Sequence, residues 1–121
     1  MAKIALIESK PSRNDYVKLF NNEFNFDKYE LCSDPTVKKV LKRDCDIEID
    51  IDSYDWLILI GSESLKFFTS QNSVTEYSGR VVDEKFLPVI NPAMITFKPE
   101  AKKVWEESSS NITKYIKGEL K

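Results

Sequence analysis

Three short apolar runs constrain the fold of this chain more than any other feature of its sequence. They are KIALI at residues 3–7, WLILI at residues 56–60 and FLPVI at residues 86–90. Each run is shorter than a typical helix and nearly continuous in apolar residues, which is the pattern of a strand buried on both faces. Such strands belong mainly to parallel sheets covered by helices on both sides.

Helical patterns lie between and after these runs. Ser12 has the character of an N-cap, and apolar residues at helical spacing follow it, so we expect a helix over residues 13–22. A second helix is predicted from the Ser-Asp-Pro start to about residue 43. A third carries the apolar residues after Gly61, and a fourth spans residues 99–117.

A short strand is also predicted at residues 29–32, which brings the number of expected core strands to four. Alternation of such strands with helices predicts an α/β fold, with three α/β/α layers around a mostly parallel four-stranded sheet. The length of 121 residues allows one hydrophobic core, so we treat residues 1–121 as a single domain.

Residues 46–52 alternate strictly between acidic and apolar side chains, in the sequence DIEIDID. This period of two predicts a half-buried strand or an extended segment at a sheet edge. We interpret the carboxylate row as a solvated edge that resists pairing with other strands. A metal-binding role is the alternative interpretation of the same residues.

The residue types that are missing restrict the chemistry. The chain contains no histidine, which excludes Ser-His-Asp and Cys-His mechanisms and argues against a zinc or iron–sulfur site. Cys32 and Cys45 lack a metal-ligand spacing and are expected to be buried thiols, with a disulfide between them as the less favoured alternative. We therefore expect no cofactor and no metal. No apolar run approaches the ~18 residues of a membrane span and no signal peptide is recognisable, which favours a cytoplasmic protein.

Polar or small residues follow the carboxyl ends of the predicted strands. Ser9 follows the first strand, Gly61 and Ser62 follow the central one, and Asn91 follows the last. Ligands of parallel α/β sheets collect at this edge, so we expect a functional site there.

The same strand ends carry a resemblance to a known family. The segments ALIESKPSRND, DWLILIGSESLKFF and YSGRVVDEKFLPVINPAMITFKPEAK occur in this order over nearly the whole chain. They resemble motifs of the uracil-DNA glycosylase superfamily, in the branch with Gly-Glu-Ala-Pro-Gly and His-Pro-Ala or His-Pro-Ser motifs. The resemblance implies a glycosylase-like fold. Short forms of this kind occur in bacteriophages, alone or ahead of a DNA polymerase.

The resemblance also implies that the base-excision pocket is degenerate. The family's water-positioning carboxylate falls on Ser9, and its histidine falls on Asn91. The family's uracil-binding asparagine has no counterpart near residues 31–32. Tyr16 or Phe20 lies near the place of the aromatic residue that stacks on the flipped base. Ser9 and Asn91 are both neutral, so neither provides a charge to stabilise a sugar cation or an anionic leaving base.

Other positions keep the character of a DNA-binding surface in the resembled family. Ser62 and Ser64 open a helix whose N-terminus suits a phosphate, and the apolar pair after Asn91 lies in the loop that wedges into duplex DNA. Alternatively, Met94 and Ile95 pack beneath the last helix, and Arg80 and Lys98 are ordinary surface charges. The expected DNA-binding residues are Gly61, Ser62, Ser64, Arg80, Met94, Ile95 and Lys98.

Three functions remain open from the sequence. The favoured one is a degenerate glycosylase-like module that binds single- or double-stranded DNA or a replication protein such as a DNA polymerase, in the host cytoplasm if the protein is phage-encoded. The second is an active glycosylase with atypical residues. The third is an interaction factor that has lost DNA binding and presents the acidic residues 44–55 to a basic partner protein.

Overall fold

A parallel four-stranded sheet forms the centre of the computed structural model, which describes residues 3–8, 16–20, 24–30, 49–69, 71, 74–92 and 94–118. The strand order is β2-β1-β3-β4, and every neighbouring pair is parallel. This confirms the predicted α/β fold with a parallel sheet. The strands are β1 (Ile4–Glu8), β2 (Asp27–Glu30), β3 (Trp56–Ile60) and β4 (Phe86–Val89).

The continuous apolar runs are buried on both faces of this sheet, as their composition requires. In the registers, Leu6 of β1 lies beside Ile58 of β3, and Ile58 lies beside Leu87 of β4. All three side chains are fully buried. Burial of a large aliphatic side chain contributes about 1.5–3 kcal/mol, so these central strands supply much of the stability of the core.

Helices cover both faces of the sheet and produce three layers. Phe20 lies against Trp105, and Tyr115 of the same long helix as Trp105 lies against Trp56, with ring centroids 5.4 and 6.2 Å apart. On the opposite face Phe68 packs on Phe86 of β4. The helices are α1 (Tyr16–Leu19), α2 (Gly61–Phe68), α3 (Val74–Tyr77), α4 (Met94–Phe97) and α5 (Ala101–Ile116).

The long C-terminal helix α5 agrees with the helix predicted over residues 99–117. Its first turn is prepared by Pro99, whose carbonyl accepts a hydrogen bond from the Lys102 amide at 3.1 Å. Its end is followed by Gly118 at φ +79°, a conformation that favours glycine. Among the described segments, no helix is both long and apolar enough to cross a membrane.

The alternating acidic segment differs from its predicted strand. Residues 49 and 50 have no regular structure, and Ile51–Ser53 form a 3-10 turn. The Asp50 carboxylate accepts a hydrogen bond from the Asp52 amide at 3.1 Å, and the Lys85 ammonium donates to the Ile51 carbonyl at 2.8 Å. Because these side chains satisfy the backbone locally, the strand predicted from the alternation is wrong for this part. Residues 46–48, like the helix predicted to end near residue 43 and both cysteines, lie outside the described residues.

Strand β2 lies two residues earlier than predicted, at Asp27–Glu30, and is attached to the segment before β3. The Tyr54 hydroxyl donates to the Asp27 carboxylate at 2.8 Å, so the Tyr29 hydroxyl, 2.5 Å away, donates to Tyr54. Burial raises the pKa of Tyr54 above its usual value, and the hydrogen bonds with Tyr29 and Asp27 add to this effect. The hydrogen-bond chain fixes the amino end of the edge strand β2.

A close contact fastens the outer edge of β4 to α5. Gly79, at φ +79°, donates its amide to the Pro88 carbonyl at 2.9 Å. The neighbouring Ser78 hydroxyl donates to Ser108 of α5 at 2.7 Å and accepts from the Ile90 amide at 3.2 Å. These bonds set the position of the last buried residues of β4, directly before Asn91.

Candidate nucleic-acid interface

The carboxyl ends of the parallel strands form one edge of the molecule. Chain connections move outward from β1 to β2 in one direction and from β3 to β4 in the other. The order therefore reverses between β1 and β3, and such a switch point is where doubly wound sheets place their ligands. Because all four strands are parallel, the ends of β1, β3 and β4 reach this same edge.

An ion pair between a buried carboxylate and a partly exposed ammonium lies at the end of β1. Glu8, the last residue of the strand, is 2% exposed, and its carboxylate lies 3.2 Å from the Lys28 ammonium of β2. The same ammonium lies 5.8 Å from the centre of the Tyr16 ring. The sequence alone does not predict this pair, because the register that places Lys28 beside β1 is visible only in the structure. Ser9, the predicted catalytic position, lies outside the described residues.

The end of β3 passes directly into the first turn of α2. Gly61 is buried and has φ +85°, a conformation that an L side chain rarely adopts. The N-cap residue is Ile60, whose side chain makes no capping hydrogen bond. Ser62 is half-buried, whereas Ser64 is fully buried and its hydroxyl has no hydrogen-bond partner within the described part of the chain. A helix N-terminus with backbone amides and no side-chain cap is electrostatically suited to an anion.

Asn91 lies at the same edge, just beyond the end of β4. It is half-buried, and its backbone carbonyl accepts a hydrogen bond from the Met94 amide at 2.9 Å. Two inter-strand spacings separate β4 from β1, which amounts to about 10 Å. Asn91 therefore lies at the same carboxyl edge of the sheet as Gly61 and the end of β1.

Residues Met94–Phe97 form the helical turn α4, where the resemblance led us to expect a loop. Met94 and Ile95 are half-buried and pack against the hydrophobic core. The exposed apolar side chain of this turn is Phe97, at 82% exposure, and Lys98 beside it is also exposed. The wedge role predicted for Met94 and Ile95 stays a prediction. Phe97 was not among the residues predicted from the sequence, because its exposure depends on which side of this helical turn faces the core.

Arg80 lies apart from the other predicted DNA-binding residues. Its side chain is exposed, and the preceding Gly79 pairs with Pro88 on the outer edge of β4. Pro88 precedes Asn91 by three residues, or about 10 Å along the strand direction. Arg80 therefore flanks the sheet, whereas the other predicted residues lie at its carboxyl edge or in the turn that follows.

The two aromatic residues considered for base stacking belong to the core. Tyr16 is buried beneath Lys28, and Phe20 is buried between Phe24 and Trp105, with centroid distances of 5.3 and 5.4 Å. A stacking residue must present a ring face to its ligand, and neither ring does so here. The expectation that one of them receives a flipped base is therefore not supported.

Comparison with known proteins gives one informative similarity. The chain is 28% identical over 131 aligned residues to a DNA polymerase of Escherichia phage T5. The alignment covers 98% of this chain but only 15% of the polymerase, so the chain spans a small part of that relative's length. No protein-family model matches the chain, and no solved structure matches it either. The chain is thus similar, nearly throughout, to a segment of a phage replication protein.

Proposed function

We propose that this chain is a DNA-binding module of phage-type DNA replication, and that it holds DNA without excising bases. The observation that carries the proposal is the similarity to the phage T5 DNA polymerase, which extends over 98% of the chain. A similarity of that extent involves the whole described domain and not one motif. The module acts in the host cytoplasm, on DNA that it shares with a polymerase.

The carboxyl edge supports DNA as the ligand. The N-terminus of α2 offers backbone amides to a phosphate, starting at the buried Gly61. Lys98 is exposed directly after the helical turn that follows Asn91, and it provides a positive charge in that segment. Amide and ammonium donors of this kind contact the phosphate backbone, and such contacts supply sequence-independent affinity.

The side chains at the edge support binding without excision. A glycosylase of the resembled family needs a carboxylate free to face the sugar, and Ser9 provides none. Glu8 is the nearest carboxylate in sequence, but it is buried and forms an ion pair with Lys28. Asn91 is a neutral donor and stabilises an anionic leaving base less strongly than a charged one.

The proposal is tested by measuring DNA affinity at several salt concentrations with the full chain. Fluorescence anisotropy of a labelled oligonucleotide should give an affinity that falls as salt rises. Lys98→Glu should weaken binding and reduce the log–log salt slope for duplex DNA by about 0.9 for the lost phosphate contact. Lys66→Glu is the matched control, because Lys66 is equally exposed but lies in the last turn of α2, away from the edge.

Two results would contradict this assignment. Equal losses in the Lys98 and Lys66 variants would mean that binding follows net charge and not the carboxyl edge. Absence of DNA binding at low salt, together with capture of a basic partner protein that DNA does not displace, would favour the interaction-factor alternative.

A further inference from the structure

We infer that Phe97, with the lysines around it, is a stacking surface for the unpaired bases of single-stranded DNA. This inference rests on the proposed DNA-binding function and specifies the form of DNA that the module prefers. Its basis is one exposed aromatic ring in a hydrogen-bonded, lysine-rich segment that follows β4.

The exposure of Phe97 is exceptional within the described residues. It is 82% exposed, and the other large exposed hydrophobic side chain is Phe67 at 46%. Phe67 still packs against the ring of Phe68, with centroids 5.0 Å apart. Phe97 therefore leaves far more apolar ring surface in water, and covering that surface with a ligand is favourable.

The backbone holds this ring in a fixed place. The Lys98 amide donates to the Met94 carbonyl at 2.7 Å, and the Ala101 amide donates to the Lys98 carbonyl at 2.9 Å. These bonds join α4 to α5 in consecutive helical turns. Ile95, in the same turn as Phe97, packs against the core. A ring presented by an ordered backbone loses little entropy when a base stacks on it.

The charges around Phe97 match a nucleic-acid backbone. Lys98, Lys102 and Lys103 are all exposed and lie within six residues of the ring in sequence, against the single carboxylate of Glu100. Aromatic rings interspersed with positive charge are the common design of surfaces that bind single strands without sequence preference. A purely apolar partner surface would offer no counter-charge to these ammonium groups, whereas the phosphates of a nucleic acid do.

A groove continues from this segment along α5. It has a volume of about 560 Å³ and is lined in part by Leu19, Ile95, Lys102 and Lys114, with the Glu106 carboxylate also on its wall. Lys102 and Lys114 are 12 residues apart on α5, or about 18 Å at the helical rise. The groove gives a bound strand a route with a positive charge near each end.

Single-stranded DNA suits Phe97 better than duplex DNA does. Every unpaired base offers a ring face at no cost, whereas a wedge into a duplex must first unstack a base step at a cost of a few kcal/mol. Met94 and Ile95 are packed against the core and provide little additional apolar surface to offset that cost.

The test compares Phe97→Ala with the matched control Phe67→Ala, using the full chain and labelled oligothymidine of about 12 nucleotides. Loss of one base–aromatic contact should weaken the affinity of Phe97→Ala about 5- to 150-fold, with no change for Phe67→Ala. Phe97→Trp should keep the affinity, and its added tryptophan emission should be quenched on binding. Duplex DNA of the same length should bind more weakly than the single strand.

The outcomes separate this inference from the proposed function. If the unmodified chain binds DNA but Phe97→Ala and Phe67→Ala bind equally well, the stacking surface is overturned and the DNA-binding function stands. If the unmodified chain prefers duplex DNA, the assignment to single strands is overturned. If it binds neither form at low salt, the proposed function fails and the stacking surface fails with it.

Discussion

Replacement of Gly79 by alanine tests the close contact that fastens β4 to α5. A Cβ atom at this position would lie 2.8 Å from the Ser108 Cα, closer than real Cβ contacts allow, and the φ of +79° is unfavourable for an L residue. The left-handed conformation costs about 1–2 kcal/mol, and displacement of the α5 backbone costs about 1–3 kcal/mol more. We therefore expect Gly79→Ala to lower the free energy of unfolding by about 2–5 kcal/mol.

The assay is urea unfolding followed by the emission of Trp56 and Trp105, with the free energy extrapolated to water. Trp105 lies on α5 and is buried, so its emission reports directly on the element that must move. A loss of this size is a large share of the 5–15 kcal/mol typical of a domain, so it is easily resolved.

Gly118→Ala is the matched control, because it separates the conformational cost from the steric one. Gly118 has the same φ of +79°, but an added Cβ would meet no atom within 4 Å. Its substitution should cost only about 1–2 kcal/mol. Equal losses for the two variants would refute the close approach of Ser108 to the turn, and with it our explanation of how the end of β4 is positioned.

Two further substitutions test the polar contacts of the sheet. Lys28→Met removes the cation beside the buried Glu8 carboxylate and should lower the free energy of unfolding by about 1–3 kcal/mol, reduced from a fully buried pair because Lys28 is 34% exposed. The double variant Glu8→Gln/Lys28→Met should lose less than the sum of the two single variants, and strictly additive losses in urea unfolding would contradict the ion pair. Tyr54→Phe removes the donor to Asp27 and should cost about 1–2 kcal/mol at neutral pH. Because burial raises the pKa of Tyr54, its contribution is fully present below the unfolded value of about 10 and declines above it, so the cost measured by urea unfolding should shrink at alkaline pH.

The sequence predicted the central strands because burial on both faces requires continuous apolar runs. WLILI and its partners have that composition, and the structure buries them at the centre of the sheet. For residues 49–52, which the structure describes, the predicted strand was wrong because periodicity does not reveal local hydrogen bonds, here those of the Asp50 carboxylate and of Lys85 to Ile51.

The location of the candidate site could be predicted from the sequence, but only some of its side chains could. The edge formed by Gly61 and Asn91 follows from the parallel sheet, which the apolar runs already indicate. The pairing of Glu8 with Lys28 depends on strand register, and the exposure of Phe97 depends on which side of a helical turn faces the core. Neither is determined by the spacing of residues along the chain, so only the structure identifies them.

The most direct test of DNA binding without excision uses one labelled oligonucleotide that contains a single deoxyuridine. After incubation with the full chain, one portion is analysed by mobility shift and the other is treated with alkali, which cleaves abasic sites. We predict a salt-sensitive shift and an intact strand after alkali. Cleavage at the uracil position would contradict the account by showing that the pocket excises bases, and absence of a shift at low salt would contradict it by showing that the chain does not hold DNA.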